Sequence, residues 1–219
     1  MTATMIAAIF DMDKTVLAIE TGMSWTRFLY RRGELPARTV AKALYWSALY
    51  KLAVLDMDAA FERVAAGMAG DSEQELVAKC EEWYARDVAP HVAPAARVAI
   101  ADHRARGHAI VLATGSTMYA ARVVARGVGI DHVLATELEV VAGRFTGKTR
   151  SRCFGRHKVA LAEAWAGAHG IDLARSFFYS DSYNDLPMLS RVGTAIAVNP
   201  DARLLRHARR RNWPVARWI

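Results

Sequence analysis

The residues best suited to chemistry fall in four short clusters, and the first is Phe10-Asp11-Met12-Asp13-Lys14-Thr15. Two carboxylates one residue apart can face a single site from a turn. Carboxylates held that close repel one another unless a proton or a cation is shared between them. A hard divalent cation with oxygen ligands removes the repulsion, and magnesium is the usual choice beside a phosphate. One carboxylate can then attack phosphorus and form an aspartyl phosphate. The other can protonate the leaving oxygen and later activate water. A bare pair of this kind serves equally as a solvated turn or a helix cap.

Three further clusters have the same double character. Thr114-Gly115-Ser116 ends the apolar run HAIVLAT, and a hydroxyl with open backbone N–H groups at the mouth of a helix makes an anion site. The plain alternative is a helix cap made by Thr114 or Ser116. Lys158 follows a basic loop at the start of a helical pattern. There it can offset the repulsion between an anionic nucleophile and an anionic phosphate; taken alone it is a surface lysine. Ser180-Asp181-Ser182-Tyr183-Asn184-Asp185 follows the apolar run FFYS. Its acids, four residues apart, can complete a cation's shell directly or through water, or can open a capped helix.

The elements that would carry these clusters are legible from periodicity. Residues 6–10 form an apolar run that reads as a buried strand. Residues 20–87 read as helical throughout, with apolar positions at helical spacing through Trp25, Phe28, Leu29, then Ala43, Leu44, Trp46, Leu49 and Leu52. Pro36 suits a helix start, and Asp71-Ser72-Glu73-Gln74-Glu75 suits a capped one. Beyond Pro94 the pattern alternates: helix 95–106, strand 108–114, helix 117–127, a hairpin over 137–146 turning at Ala142-Gly143, helix 158–170, strand 177–180, short helix 184–191 and strand 194–198. Strands alternating with helices predict a parallel sheet with right-handed crossovers, whose ligands sit beyond the carboxyl ends of the strands. Each polar cluster either follows a strand in this way or, as with Lys158, opens a helix.

At 219 residues, 53% of them hydrophobic and 23% charged, the chain has material for one core domain and a smaller inserted one. The formal net charge of +7 suits an anionic partner: a phosphorylated substrate, a lipid headgroup or nucleic acid. Much of the excess lies in Lys148, Arg150, Arg152, Arg156, His157 and Lys158, and in Arg203, Arg206, Arg209, Arg210 and Arg211. No zinc-knuckle or RNA-recognition signature accompanies these charges, so no nucleic-acid partner is expected and a solvated surface is the simpler reading. Cys80 and Cys153 lack metal-ligand spacing and read as buried free thiols in a reducing compartment. The first strand replaces any leader pattern and no apolar stretch spans a bilayer, so a cytoplasmic protein is expected.

The ordered set of apolar strand and DxDxT, apolar strand and TGS, lysine, apolar strand and DSxND resembles the haloacid dehalogenase superfamily of phosphatases and phosphotransferases over nearly the whole chain. Within it the chain is similar to the phosphoserine-phosphatase branch, which carries a helical-bundle cap between the first and second motifs. The resemblance implies an α/β fold: a Rossmann-like parallel-sheet core, residues 1–19 and 88–219, with an α-helical cap, residues 20–87. It implies Asp11 as nucleophile, Asp13 as general acid/base, and magnesium held by Asp11, the Asp13 carbonyl and Asp181, with Asp185 in support. Thr114, Gly115, Lys158 and Asn184 match the phosphate-binding groups. Glu20 matches a carboxylate that reads a substrate ammonium, and Arg63 falls near a carboxylate-binding arginine. Lys14 stands where the branch usually has serine, and Ser180-Asp181-Ser182 where it has Gly-Asp-Gly, which leaves phosphoryl chemistry intact and loosens the match to phosphoserine. The implied partner is a small-molecule or lipid-like phosphomonoester. A dedicated phosphoserine phosphatase and a non-catalytic phosphate-binding module are the alternatives. The aromatic residues Trp25, Phe28, Tyr30, Tyr45, Trp46 and Tyr50 read first as core packing, and second as an apolar pocket or a face for peripheral membrane contact.

Overall fold

The computed structural model describes residues 5–36 and 57–219. Strand β1 (Ala7–Phe10) reads AAIF, and all of its residues are buried. A continuous apolar run is what a strand covered on both faces of a parallel sheet requires. Among the described residues the helices α1 (Thr21–Arg31), α2 (Met57–Gly67) and α3 (Glu73–Trp83) come next. A π turn (Tyr84–Val88) and a 3-10 turn (Ala89–His91) lead to α4 (Pro94–Ala105). Then come β2 (Ala109–Thr117), α5 (Met118–Val128), β3 (His132–Val141), β4 (Arg144–Ser151), α6 (Gly155–His169), β5 (Phe177–Ser180), α7 (Leu186–Leu189), β6 (Thr194–Val198), α8 (Ala202–Arg211) and β7 (Val215–Ala216).

The strands form one sheet in the order β4-β3-β2-β1-β5-β6-β7. All neighbours are parallel except β3 and β4, which form the hairpin at one edge. Its turn sits at Ala142 (φ 50°) and Gly143 (φ 74°), both left-handed, which matches the twist of the strands it joins. β1 lies between β2 and β5, with Phe10 in register with Leu112 on one side and Tyr179 on the other. The chain therefore leaves β1 toward one half of the sheet and returns to it for the other half. The carboxyl ends at this switch point are where a doubly wound sheet opens a crevice.

Strand and helix positions follow the sequence pattern within a few residues. The start at 71–75 is capped as expected: Ser72 accepts from the Glu75 N–H at 3.4 Å and opens α3. The helix expected from Pro36, with Tyr45, Trp46 and Tyr50, lies outside the described residues. Of the other aromatics, Trp25 packs on Phe28 at 5.3 Å and edge-on to Trp83 at 5.5 Å, so core packing accounts for them, while Tyr30 is 49% exposed. α2 lies against β4, where a Cβ on Gly147 (φ 85°) would come within 3.0 Å of the Ala69 methyl, so the close approach requires glycine.

Two features depart from expectation. β3 begins at His132, well before the hairpin itself, because its first half pairs in parallel with β2. The basic run after residue 202 is helix α8, capped by Asp201 and buried only through Leu204 and Ala208. A stripe that narrow is lost among arginines when periodicity is read. The last-turn arginines Arg209, Arg210 and Arg211 lie at the negative end of its dipole.

Beneath the switch point α4 buries His103, 2% exposed, against Phe10, Phe177 and Tyr179. Its Nε2 meets the Tyr179 hydroxyl at 2.7 Å and its Nδ1 meets His108 Nδ1 at 2.8 Å. One proton per contact satisfies this chain with both rings neutral. Burial pushes His103 down to about 4, with His108 and Arg106 adding to the effect. The unfolded chain protonates this imidazole near its ordinary value of about 6.5. The stabilisation is therefore complete above that value and is lost as pH falls from about 6.5 toward about 4, by up to ~3 kcal/mol. Urea midpoints taken between neutral pH and about pH 5 should fall more steeply for the native protein than for His103→Gln. Parallel pH dependence in the two proteins would refute the assignment.

Candidate active site

The four clusters converge at the carboxyl ends of β1, β2 and β5. Asp11 follows β1 directly, and its backbone N–H donates to the Tyr179 carbonyl at 2.9 Å, which continues the ladder into the turn. The turn then closes on itself, Leu17 N–H donating to Met12 O at 2.9 Å and Val16 N–H to Asp11 O at 3.4 Å. α6 delivers Lys158 from its first turn. This lysine is 2% exposed, which rules out the surface reading. Its Nζ donates to Asp11 Oδ1 at 2.9 Å and lies 2.7 and 2.8 Å from the two oxygens of Asp185. Ser180 Oγ, at the end of β5, donates to Asp185 Oδ2 at 2.7 Å.

Asp13 faces the start of α1, where its Oδ1 accepts from the Thr21 N–H at 3.1 Å. The Thr21 hydroxyl in turn meets Ser116 Oγ at 3.1 Å, which joins the first motif to the second. The helix after β2 is capped by neither Thr114 nor Ser116; Thr117 accepts from the Ala120 N–H at 3.5 Å. Thr114 is buried and accepts from the Ser116 N–H at 3.2 Å, while Thr136 donates to the Gly115 carbonyl at 2.9 Å and sets the shape of that loop. Likewise the cap in the fourth cluster is Ser182, which accepts from the Asn184 N–H at 3.2 Å, so Asp181 is not spent on a helix end.

The electrostatics of this cluster are those of too many carboxylates out of water. Burial raises Asp11 above the usual carboxylate range; Lys158 opposes the rise and Asp185 adds to it. Burial also lifts Asp13, to about 6, against the hydrogen bond from Thr21. Asp181 is raised by burial and by the charge of Asp11. Burial alone would lower Lys158, but Asp11 and Asp185 more than offset it and push it up. Among the described residues no three His, Cys, Asp or Glu side chains close into a ready cage for a metal ion. The donor set is instead a few carboxylates with backbone carbonyls between them. That set fits magnesium, which keeps several waters and takes one or two carboxylates.

The outer residues divide. Glu20, which precedes α1, is ion-paired with Lys14, and both side chains are partly exposed. Arg63 lies exposed on α2, and among the described residues it makes no hydrogen bond or ion pair with the cluster. The α2 residue that does approach is Phe61, which stacks on Phe154 at 5.3 Å and lies beside Gly115. Asn184 sits in the turn between Asp181 and Asp185, and its backbone N–H makes the bond to Ser182 already noted. Sequence reasoning missed Phe61, Thr21 and Thr136, and it placed Ser180 in the fourth cluster without giving its hydroxyl a partner. Phe61 is indistinguishable from a core residue by periodicity, and Thr21 and Thr136 act through single hydroxyls whose partners are distant in sequence. Both cysteines are buried and free, their thiols pushed up to about 12 by burial. Among the described residues no helix is long and apolar enough to cross a membrane.

Comparison with known proteins places this arrangement. The family model for haloacid dehalogenase-like hydrolases matches residues 8–190. A histidinol-phosphatase of Neisseria meningitidis is 31% identical over 95% of this chain and 96% of its own length. The phosphoserine phosphatase SerB1 of Mycobacterium tuberculosis is 36% identical over 95% of this chain and 70% of its own. A solved structure described as a phospho-aspartyl intermediate analogue of phosphoserine phosphatase superposes with a TM-score of 0.72 at 18% identity, covering 99% of this chain and 95% of that one. With the sheet order and the strand-end carboxylates already in hand, these matches show that the chain belongs to the haloacid dehalogenase-like hydrolases, among the phosphatases of that family.

Proposed function

We propose that the protein hydrolyses phosphomonoesters through a phosphoryl group carried on Asp11. The observation that carries this reading is the buried Lys158 ammonium bridging Asp11 and Asp185. A lone lysine among carboxylates draws a phosphate toward Asp11 while holding that carboxylate in place. Magnesium would be held by Asp11, the Asp13 carbonyl and Asp181, with Asp185 in support; when bound, it offsets the negative charge that nucleophile and phosphate share. Asp11 attacks phosphorus as the bond to the leaving oxygen breaks, and protonated Asp13 gives that oxygen its proton. Asp13 then takes a proton from the water that hydrolyses the Asp11 phosphate. Its carboxyl, lifted to about 6, suits a group that must both give and take a proton near neutrality. Thr114, Gly115, Lys158 and Asn184 would hold the phosphate oxygens. We further place residues 20–87 as a cap over a core of residues 1–19 and 88–219, a division supported by Phe61 beside Gly115 and by the Arg152–Glu62 pair at 2.7 Å.

Asp11→Asn keeps the shape and removes the nucleophile. Turnover of an aryl phosphate should fall by several orders of magnitude, by about 10⁴-fold or more, with circular dichroism unchanged. Near-native turnover of the pure variant would remove the covalent mechanism. Asp13 and Asp181 are separable. Asp13→Asn should slow alkyl phosphates far more than aryl phosphates, whose leaving groups barely need an acid. Asp181→Asn should raise the magnesium concentration needed for half-maximal rate on every substrate. A uniform loss for the first variant together with an unchanged metal response for the second would contradict both roles.

For the substrate we propose broad acceptance of phosphomonoesters, with phosphoserine not the clear favourite. The Lys14–Glu20 ion pair supports this, because an internal ammonium already lies on the carboxylate that would read an amino group. Contacts at the opening then discriminate by roughly 10–200-fold. Glu20→Ala should reorder a panel of phosphoserine, histidinol phosphate, glycerol phosphate, sugar phosphates and lysophospholipids. A lead of several orders of magnitude for phosphoserine, abolished by Glu20→Ala, would establish the dedicated enzyme instead.

A further inference from the structure

Four non-glycine residues among those described have left-handed backbone: Lys14 (φ 52°), Ala142, Asn199 (φ 45°) and Asn212. Ala142 belongs to the hairpin turn and Asn212 ends α8, both ordinary places for that conformation. The other two meet. Asn199 Nδ2 donates to the Lys14 carbonyl at 2.6 Å, across 185 residues of sequence. Lysine gains nothing of its own in this region of backbone space, where its Cβ crowds the backbone. The conformation persists only where the surroundings impose it.

Asn199 is well anchored for that task. It follows β6, and its Oδ1 accepts from the backbone N–H groups of Trp218 at 2.8 Å and Ile219 at 3.3 Å. Its own N–H donates to the Ala216 carbonyl at 2.9 Å. Trp218 packs on Tyr179, which stacks on Phe10 directly beneath Asp11. Two residues on, Asp201 reaches the other acidic turn. Its N–H donates to the Asp181 carbonyl at 2.8 Å, and its Oδ2 accepts from the Tyr183 N–H at 2.7 Å. One short segment after β6 therefore ties together both turns that bear the site's carboxylates.

We infer that Asn199 is a positioning residue for phosphoryl transfer: its side-chain amide imposes the left-handed turn at Lys14 and so fixes where Asp11 and the Asp13 carbonyl point. Asp201 does the same for the turn at Asp181. The roles of Asp11 and Asp13 come from the function proposed above, whereas the clamp itself is a property of the folded chain and can be tested without turnover.

Asn199→Asp is the informative variant. It keeps the Oδ1 that accepts from both Trp218 and Ile219 and loses the donor to Lys14. In metal-free protein, amide exchange at Val16 and Leu17 should speed up by about tenfold or more as their turn opens. In the magnesium-loaded enzyme, kcat on an aryl phosphate should fall by about 10–100-fold with KM little changed, and half-saturation by magnesium, read by calorimetry, should shift upward in the same range. Asn199→Ala should show both effects and lower thermal stability as well; if it does not fold, the aspartate variant decides alone. Native exchange at Val16 and Leu17 in Asn199→Asp would overturn the clamp. So would a loss of stability with kcat and magnesium affinity unchanged, which is what a merely structural residue would give. A native enzyme inactive on every phosphomonoester would defeat the proposed function, while faster exchange in the variant would still establish the clamp.

Discussion

Everything in the site answers to one constraint, the placing of a single ammonium among carboxylates out of contact with water. Lys158 is shared between Asp11 and Asp185. Taking these charges out of water costs several kcal/mol per ion, which mutual attraction offsets only when the geometry is good and every remaining polar atom is satisfied. Here Ser180 donates to Asp185, and the Asp11 backbone extends the sheet ladder to Tyr179. Even so, burial first and the neighbouring acids second hold Asp11, Asp13 and Asp181 above the ordinary carboxylate range, and the lysines only partly oppose the rise. A buried deficit of that kind is what the proposed magnesium would offset. The same deficit would repel a phosphate if Lys158 were absent, so one residue answers for both charge states of the site.

The fold serves this constraint through the switch point. β1 must be wholly apolar to lie between β2 and β5, and its end places Asp11, the first residue past it, buried at the carboxyl edge of the sheet. Neighbouring strands supply the rest at matching heights because parallel register fixes where each one ends. Packing below is stiff: Phe10, Tyr179 and Trp218 stack in series, and His103 fills the space beside them as a neutral ring. Rigid support of this kind matters because phosphoryl transfer depends on holding reacting atoms in line to within fractions of an ångström.

The sequence was most legible where one physical demand dominated. Buried parallel strands need apolar runs, and the runs 6–10, 108–114, 177–180 and 194–198 fall on β1, β2, β5 and β6, the first two strands each starting one residue later. Left-handed hairpin turns favour glycine, and Ala142-Gly143 turned as expected. The motif residues Asp11, Asp13, Thr114, Lys158, Asp181 and Asp185 stood out in the sequence because several ordinary clusters occurred in one order at strand ends and at a helix start. What escaped was whatever depends on a partner far along the chain. Thr136 shaping Gly115, Thr21 meeting Ser116 and Asn199 holding Lys14 are each one hydrogen bond between segments that no periodicity connects. Arg63 and Phe61 make the same point within one helix. A two-residue difference on α2 decides which side chain lies beside the Gly115 loop, and helix boundaries read from sequence are uncertain by that much.

The division between chemistry and selection follows from burial. Groups that would touch phosphorus or its oxygens are fixed on strand ends and the first turn of α6, where water is largely excluded and electrostatic effects are strong. Groups that would meet the rest of a substrate are of another kind. Lys14 and Glu20 are partly exposed and neutralise one another, and the Phe61–Phe154 stack offers an aromatic wall beside Gly115 without a charge. Solvent screens the first pair, and an apolar wall separates ligands by their size more than by their functional groups. Relatives named for histidinol phosphate and for phosphoserine align over nearly the whole of this chain. That is the pattern expected if the strand-end chemistry is held constant by its buried charges, while the opening is free to change one half-exposed side chain at a time.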